Sequence, residues 1–340
     1  MEPFELLPLA TTHVQGILRH SFAHDSSKSR ALVVYDTDYD LTKLLTAAYR
    51  AALPEAEFMD FAKHEHEQII AKFDALSPGD LVVLIQTGSF RLNKFRIRIN
   101  LFNRGLHVIE HVHLHRNPPA TWASYVAALN PDRDWYERRA KGIRSTLSRA
   151  SGATITTSDG TRQATLAVGP LEDPKLNIGD YTGMRNVGGT FPIGEVFTEA
   201  RDLTSLAGSA YVYAFADAKF QLYFPAPFRV DIEAGQVVGW GETAPAEFAE
   251  VVEMVRATER PMIREIGFGL NRGIDKENPL LDVTAYERVR GVHLSLGEKH
   301  STYKKPGIRS HKARYHVDLF LATEEVRAGE EIIIKDRIYR

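Results

Sequence analysis

Short apolar runs alternate with amphipathic stretches over roughly the first third of the chain. The apolar runs are typical of buried strands and cover residues 31–35, 57–61, 81–85 and 105–110. The stretches between them have helical spacing and predict helices over residues 41–53, 66–76 and 92–103. Because such alternation is typical of a parallel sheet with crossover helices, the sequence predicts an α/β N-terminal domain with a mainly parallel sheet.

The pattern changes near residue 150. Residues 151–166 are rich in Thr, alternate between polar and apolar, and carry Asp159-Gly160 at their centre, which predicts a hairpin. Further short strands are predicted over residues 210–215, 221–224, 228–232, 236–239 and 331–334. One helix is predicted over residues 246–258. The sequence thus predicts a mostly-β (α+β) metal-binding C-terminal domain over residues 151–340, after an α/β domain over residues 1–150.

The composition narrows the classes of protein. The chain has 340 residues, of which 44% are hydrophobic and 25% charged, and this is typical of a soluble globular protein. It contains no Cys, so a zinc site with thiolate ligands and catalysis by a thiol are both excluded. The net charge of −2 does not favour nucleic acid as a partner. No apolar run is long enough to span a membrane, and no secretory signal is recognisable, so we expect a cytoplasmic protein.

The run from Arg314 to Leu321 is predicted to be a strand that carries metal ligands. In a strand, side chains two positions apart leave the same face, so His316 and Asp318 are expected about 6–7 Å apart along it. An imidazole and a carboxylate placed side by side can bind a divalent metal ion.

Three upstream segments contain the residue types that would complete such a site, namely Glu195, Glu265 and His293. A two-metal site needs a bridging carboxylate and further ligands to each ion, and these residues with His316 and Asp318 meet that need. Glycines in the same segments (Gly194, Gly267 and Gly297) permit close approach of the backbone. Each residue taken singly is more often a solvated Glu or a structural His, so spacing alone leaves both readings open.

The four segments in this order resemble the aminopeptidase T family of metallo-aminopeptidases. The resemblance is carried by the motifs Gly194-Glu-Val-Phe-Thr198, Glu265-Ile-Gly-Phe-Gly269, His293-Leu-Ser-Leu-Gly297 and His316-Val-Asp318. It covers the second half of the chain by motif and the first half by its α/β pattern. It implies two divalent ions (zinc, cobalt or manganese) that activate water for attack on a peptide or amide carbonyl, and a homodimer.

The chain departs from the family near His300. The resemblance places a catalytic Tyr at that position, whereas the nearest Tyr here is Tyr303. His300 and Tyr303 are therefore both candidates for stabilising a tetrahedral intermediate. The surrounding stretch, residues 298–306, is basic and polar, which suggests a peptide or small-molecule substrate other than a plain peptide N-terminus.

Two other functions remain open. The fold family is similar to 2,5-dihydroxypyridine 5,6-dioxygenase, which cleaves an aromatic ring with one Fe(II) ion, and His293, His316 and Asp318 can supply its facial triad. The presence of both Glu195 and Glu265 favours the hydrolase over this alternative. The second alternative is a binding module that has kept the fold and lost the chemistry.

Overall fold

The computed structural model describes residues 3–92, 97–217, 219–300, 302–308 and 311–340. The chain forms two compact units, each built from three segments. The first unit comprises Met1–Arg133, Gly179–Ile193 and Asn271–Tyr286, and the second comprises Asp134–Ile178, Gly194–Leu270 and Glu287–Arg340. The division into 1–150 and 151–340 remains a prediction from the sequence.

The helices in chain order are α1 (Leu7–Phe22), α2 (Asp40–Ala52), α3 (His66–Asp74), α4 (Ile97–Asn103), α5 (Trp122–Ala128), α6 (Arg133–Arg149), α7 (Ala246–Arg256) and α8 (Val283–Tyr286). The strands in chain order are β1 (Ala31–Tyr35), β2 (Glu57–Asp60), β3 (Leu81–Ile85), β4 (His107–His111), β5 (Ala153–Ser158), β6 (Gln163–Val168), β7 (Lys175–Asn177), β8 (Gly188–Thr190), β9 (Glu195–Thr198), β10 (Ala207–Ala216), β11 (Leu222–Tyr223), β12 (Phe228–Glu233), β13 (Gln236–Trp240), β14 (Ile263–Gly269), β15 (Gly291–Leu296), β16 (Val317–Leu321), β17 (Thr323–Ala328), β18 (Glu331–Lys335) and β19 (Ile338–Tyr339).

A parallel sheet of five strands lies at the centre of the first unit, in the order β2-β1-β3-β4-β8. Every residue of β3 is buried, which explains why this strand reads as an unbroken apolar run. Ile69, Phe73 and Leu101, from α3 and α4, belong to the same buried cluster as residues of β1, β3 and β4. Of the predicted helix over 92–103, residues Ile97–Asn103 are helical, Leu92 is not, and residues 93–96 lie outside the described residues.

The second unit contains a sheet of 14 strands, and each of its described pairings is antiparallel. The predicted hairpin is present as β5 and β6, whose ends pair at Ser158 and Gln163. Asp159 closes its turn, since its Oδ1 accepts hydrogen bonds from the backbone N–H groups of Thr161 and Arg162. The predicted fold class, a parallel α/β sheet followed by a mostly β region, is confirmed.

Four neighbouring strands of this sheet, in the order β16-β15-β14-β9, carry Asp318, His293, Glu265 and Glu195, one on each strand. The predicted strand over residues 314–321 begins only at Val317, so His316 lies just before β16. Glu195 of β9 pairs with Gly269 of β14, and His293 of β15 pairs with Gly267. Glu265 lies two residues before Gly267 on the same strand. Since directly paired residues point to the same face, as do residues two apart in a strand, the register places Glu195, Glu265 and His293 on one face.

The described helices include none that is both long and apolar enough to cross a membrane.

Candidate metal centre

Glu195, Glu265 and His293 form a buried group whose possible ligand atoms all lie within 4.8 Å of one another. His293 Nε2 lies 3.2 Å from Oε1 of Glu195 and 3.5 Å from Oε1 of Glu265. The side chains of all three residues are at most 9% exposed. The strand register therefore brings two carboxylates to one imidazole nitrogen in a place nearly closed to water.

Gly267 makes room for the His293 ring. A Cβ atom at position 267 would lie 2.1 Å from both Cε1 and Nε2 of His293, far closer than any real contact. The imidazole of His293, on β15, thus packs over the backbone of β14 at Gly267. From there its Nε2 reaches the carboxylates of Glu195 and Glu265. A side chain of any size at this position would displace the ring.

His316 and Asp318 complete the five predicted residues. His316 Nε2 lies 3.5 Å from Oδ1 of Asp318 and 4.0 Å from Oε1 of Glu265. Its Nδ1 is 3.2 Å from the carbonyl oxygen of Lys299, which places a proton on Nδ1 and leaves Nε2 facing the carboxylates. Ser295, which pairs with Asp318, donates a hydrogen bond of 2.7 Å to Oδ1 of Asp318.

The chemistry of this group fits a divalent metal ion. His293 Nε2 is buried and has no hydrogen-bond partner with suitable geometry, although two carboxylates stand beside it. A buried polar atom left unpaired in this way is rare unless the site serves a ligand. Carboxylate oxygens and imidazole nitrogens are ligands that Zn²⁺ and Mn²⁺ accept.

The same closeness changes the protonation of the group. Burial lowers the pKa of His293, but Glu195 and Glu265 outweigh burial and raise that pKa to about 10. Burial raises the pKa of Glu265, but the neighbouring His293 and His300 outweigh it and hold that pKa well below its usual range. Without metal, His293 is therefore a cation between two carboxylates at neutral pH.

Arg288 is a member of the site that the sequence did not indicate. Its side chain is 6% exposed, and its Nη1 lies 3.3 Å from Oε2 of Glu195 and in close contact with Glu287. The guanidinium contacts Oε2 of Glu195, and the other carboxylate oxygen, Oε1, faces His293. The stretch Glu287-Arg-Val-Arg290 is charged at three of its four positions, which is typical of an exposed segment, so no sequence signal marked Arg288 as buried.

His300 lies at the edge of the group with a defined tautomer. Its Nδ1 accepts hydrogen bonds from the backbone N–H groups of Thr302 (3.1 Å) and Tyr303 (3.3 Å), so the proton of the neutral ring is on Nε2. Nε2 lies 3.1 Å from Oε2 of Glu265 but lacks the alignment of a hydrogen bond. The side chain is 2% exposed, so a buried N–H donor is present beside the candidate ligands.

Tyr303 directs its hydroxyl elsewhere. The hydroxyl donates a hydrogen bond of 2.7 Å to the carbonyl oxygen of Asp173, and its ring packs against His300 with 5.1 Å between the ring centroids. Burial raises the pKa of this phenol. The structure therefore places His300, rather than the Tyr303 hydroxyl, next to Glu265, and the catalytic roles of both remain predictions.

Arg264 anchors the turn that carries His300. Its guanidinium is 2% exposed and donates hydrogen bonds to the carbonyl oxygens of Glu298 (2.7 Å) and Tyr303 (3.0 Å). Its Nε donates to Oε2 of Glu199 at 2.9 Å, so the buried charge has a buried partner. Because Glu298 and Tyr303, on either side of His300 in the chain, are both bound by this one buried guanidinium, His300 is held close to it.

Comparisons with known structures support the fold. The chain matches a structure of 2,5-dihydroxypyridine dioxygenase from Pseudomonas putida KT2440 with a TM-score of 0.62 and 17% identity, over 97% of this chain and 96% of that one. It matches wild-type AmpT, an aminopeptidase T, from Thermus thermophilus with a TM-score of 0.58 and 11% identity, over 98% of this chain and 99% of that one.

The sequence itself matches no protein-family model and no curated protein. At these identities, the similarity of structure defines a fold shared with enzymes of two different chemistries, a peptidase and a dioxygenase. It does not decide between them. The choice therefore rests on the side chains of this chain.

Substitution of Gly267 by Ala tests the placement of His293. The added methyl group must push the imidazole away from Glu195 and Glu265, so the affinity for Zn²⁺ should fall at least about tenfold, as for other disturbed metal ligands. Isothermal titration calorimetry measures the affinity. Gly142→Ala, in α6 with nothing within 4 Å of the new atom, is the matched control. Equal affinity in both variants would contradict the placement.

Metal binding should release protons near pH 7. His293 is protonated in the metal-free protein because its pKa is raised to about 10, and a metal needs the lone pair on Nε2. The affinity for Zn²⁺ should rise as the pH increases toward that pKa. Calorimetry in two buffers of different ionisation enthalpy counts the protons, and we expect at least about one per chain. Identical heats in both buffers would show that metal binding does not remove a proton from His293.

Proposed function

We propose that this chain is a metal-dependent hydrolase of the aminopeptidase kind that cleaves a peptide or amide bond. The observation that supports it most is the buried group of Glu195, Glu265 and His293, which lies next to His316 and Asp318. The homodimer and the cytoplasmic location belong to the same proposal and rest on the resemblance and the composition.

We further propose that Glu265 is the bridging ligand of two divalent ions. Its Oε1 faces both His293 and His316, at 3.5 and 4.0 Å, so it stands between the two imidazoles. Glu195 has one oxygen on His293 and the other on Arg288, which suits a ligand of a single ion. Zinc, cobalt or manganese would supply a Lewis acid and a water of lowered pKa at this site.

His300 would stabilise the negative charge that develops on the carbonyl oxygen during hydrolysis. Its Nε2–H is buried, has no aligned partner and is held in place from the Nδ1 side. A fixed donor in a site that excludes water stabilises an oxyanion strongly because it needs no reorganisation. The hydroxyl of Tyr303, already donated to a backbone carbonyl, suits this role less well.

The number of carboxylates favours the hydrolase over the ring-cleaving dioxygenase. The facial triad of such an Fe(II) enzyme needs two imidazoles and one carboxylate, which His293, His316 and Asp318 can supply. It would leave Glu195 and Glu265 as buried carboxylates without a metal, and both stand within 3.5 Å of His293 Nε2. Glu195, Glu265 and Asp318 would all serve as ligands if two divalent ions were bound.

Metal content and activity test this proposal together. Protein purified without added metal should contain about two zinc, cobalt or manganese ions per chain and should cleave members of a panel of aminoacyl p-nitroanilides. A chelator should abolish the cleavage, and Glu265→Gln should reduce both metal content and activity. About one iron per chain with oxygen uptake on a hydroxypyridine and no cleavage would favour the dioxygenase. No metal, even after soaking, would leave only a binding module.

Substitutions at His300 and Tyr303 separate the two candidate donors. His300→Leu should lower kcat by roughly 100- to 1000-fold, the usual effect of removing one oxyanion donor, with a much smaller change in KM. His300→Gln, whose amide can donate, should recover part of the loss. Tyr303→Phe should change kcat far less. Steady-state kinetics on a cleaved p-nitroanilide measures these changes. A larger loss of kcat for Tyr303→Phe than for His300→Leu would show that Tyr303, not His300, is the oxyanion donor.

A further inference from the structure

The connection between β15 and β16, residues 298–314, is the most basic segment next to the candidate metal centre. It contains a single acidic residue, Glu298, in a chain whose net charge is −2. Its basic residues are Lys299, Lys304, Lys305, Arg309, Lys312 and Arg314. We call the described part of this segment, residues 298–300, 302–308 and 311–314, the basic connection. Arg309 lies outside the described residues.

Most of the described cations of the basic connection have no acidic partner. Lys305 is the exception, because its Nζ lies 2.5 Å from Glu172 and 3.4 Å from Glu199. The others are exposed and form no ion pair within 4.0 Å among the described residues, namely Lys299, Lys304, Lys312 and Arg314. Among the described residues, none of these four cations is therefore held in an ion pair with a carboxylate.

The basic connection is held in place rather than loosely attached. Arg264 binds two of its carbonyl groups, as described above. Glu259 binds it from the other side, since its carboxylate accepts hydrogen bonds from the backbone N–H groups of Glu298 (2.8 Å), Arg314 (2.8 Å) and Tyr315 (3.3 Å). The backbone is thus held at Glu298 and Arg314, next to Lys299 and at Arg314 itself.

Two of the unpaired cations stand next to candidate site residues. Lys299 adjoins His300, and its carbonyl oxygen contacts Nδ1 of His316 at 3.2 Å. Arg314 precedes His316 by two residues. Since consecutive Cα atoms are about 3.8 Å apart, the Cα atoms of Lys299 and Arg314 lie within about 8 Å of the Cα atoms of His300 and His316, respectively. Two exposed positive charges are therefore attached to the backbone beside the candidate site residues.

We propose that the basic connection selects substrates with a negatively charged group near the bond that is cleaved, such as a peptide with an acidic first residue. The inference rests on the proposed hydrolase. Exposed cations that the protein leaves unpaired beside a site raise the local concentration of anions and speed their association. This effect decreases with added salt, because exposed charges are screened over about 8 Å at physiological ionic strength.

A pair of substrates that differ only in charge tests the selection. Glutamyl p-nitroanilide and glutaminyl p-nitroanilide have nearly the same shape, so the ratio of their kcat/KM values reports charge. We expect the metal-loaded protein to favour the glutamyl substrate by about tenfold at low salt, and this preference should shrink at about 0.5 M salt. A ratio near one, or a preference for the glutaminyl substrate, would overturn the inference.

Charge removal identifies the residues responsible. The double variant Lys299→Gln and Arg314→Gln should lower the ratio at least about threefold. The matched control, Lys219→Gln with Lys335→Gln, removes two exposed cations elsewhere in the second unit and should keep the ratio. An equal ratio in both variants would show that the basic connection does not select the substrate.

A binding measurement separates this inference from the proposed function. Thermal stabilisation of the metal-loaded protein by L-glutamate, compared with L-glutamine, needs no turnover. If neither p-nitroanilide is cleaved but L-glutamate stabilises the protein more, and the Lys299/Arg314 variant loses the difference, then the hydrolase proposal fails and the recognition of anions stands. If the two amino acids stabilise the protein equally, the recognition of anions fails, whatever the activity.

Discussion

Three buried carboxylates on one face of an antiparallel sheet are the constraint on which the second unit depends. Glu195, Glu265 and Asp318 are each at most 7% exposed, and an ionised carboxylate is costly to bury without a partner. Imidazoles supply the partners in the metal-free protein, with His293 held as a cation between two of the carboxylates. A bound divalent ion would replace the proton of that imidazole, so the imidazole that is the partner of the buried carboxylates would also be a metal ligand.

The strand register turns this constraint into geometry. Residues far apart in the chain meet because β9, β14 and β15 are neighbours and pair at Gly267 and Gly269. Gly267 opposite His293 leaves the space that the imidazole occupies. Arg264 and Glu259 bind the backbone of Glu298, Tyr303 and Arg314. These contacts hold the residues next to His300 and His316 in place. A slip of one residue in any of these strands would move the ligands to opposite faces.

The sequence was sufficient for the fold class and for the residues that meet at the centre, and insufficient for the groups that hold them. Buried parallel strands and alternating strands leave distinct patterns, and short motifs marked the segments of Glu265 and His293. Arg288 could not be recognised, because its highly charged surroundings resemble an exposed segment. The tautomer of His300 depends on hydrogen bonds from two backbone groups, which no residue pattern encodes. Long-range packing determines both features.

The most direct test of the account is a crystal structure of the zinc-soaked protein with anomalous diffraction measured at the zinc edge. We predict anomalous peaks about 2 Å from side-chain atoms of Glu195, Glu265 and His293, with Glu265 next to two peaks. A single peak bound by His293, His316 and Asp318 would contradict the two-metal site. Peaks only at other positions of the chain would contradict the claim that this buried group is a metal centre.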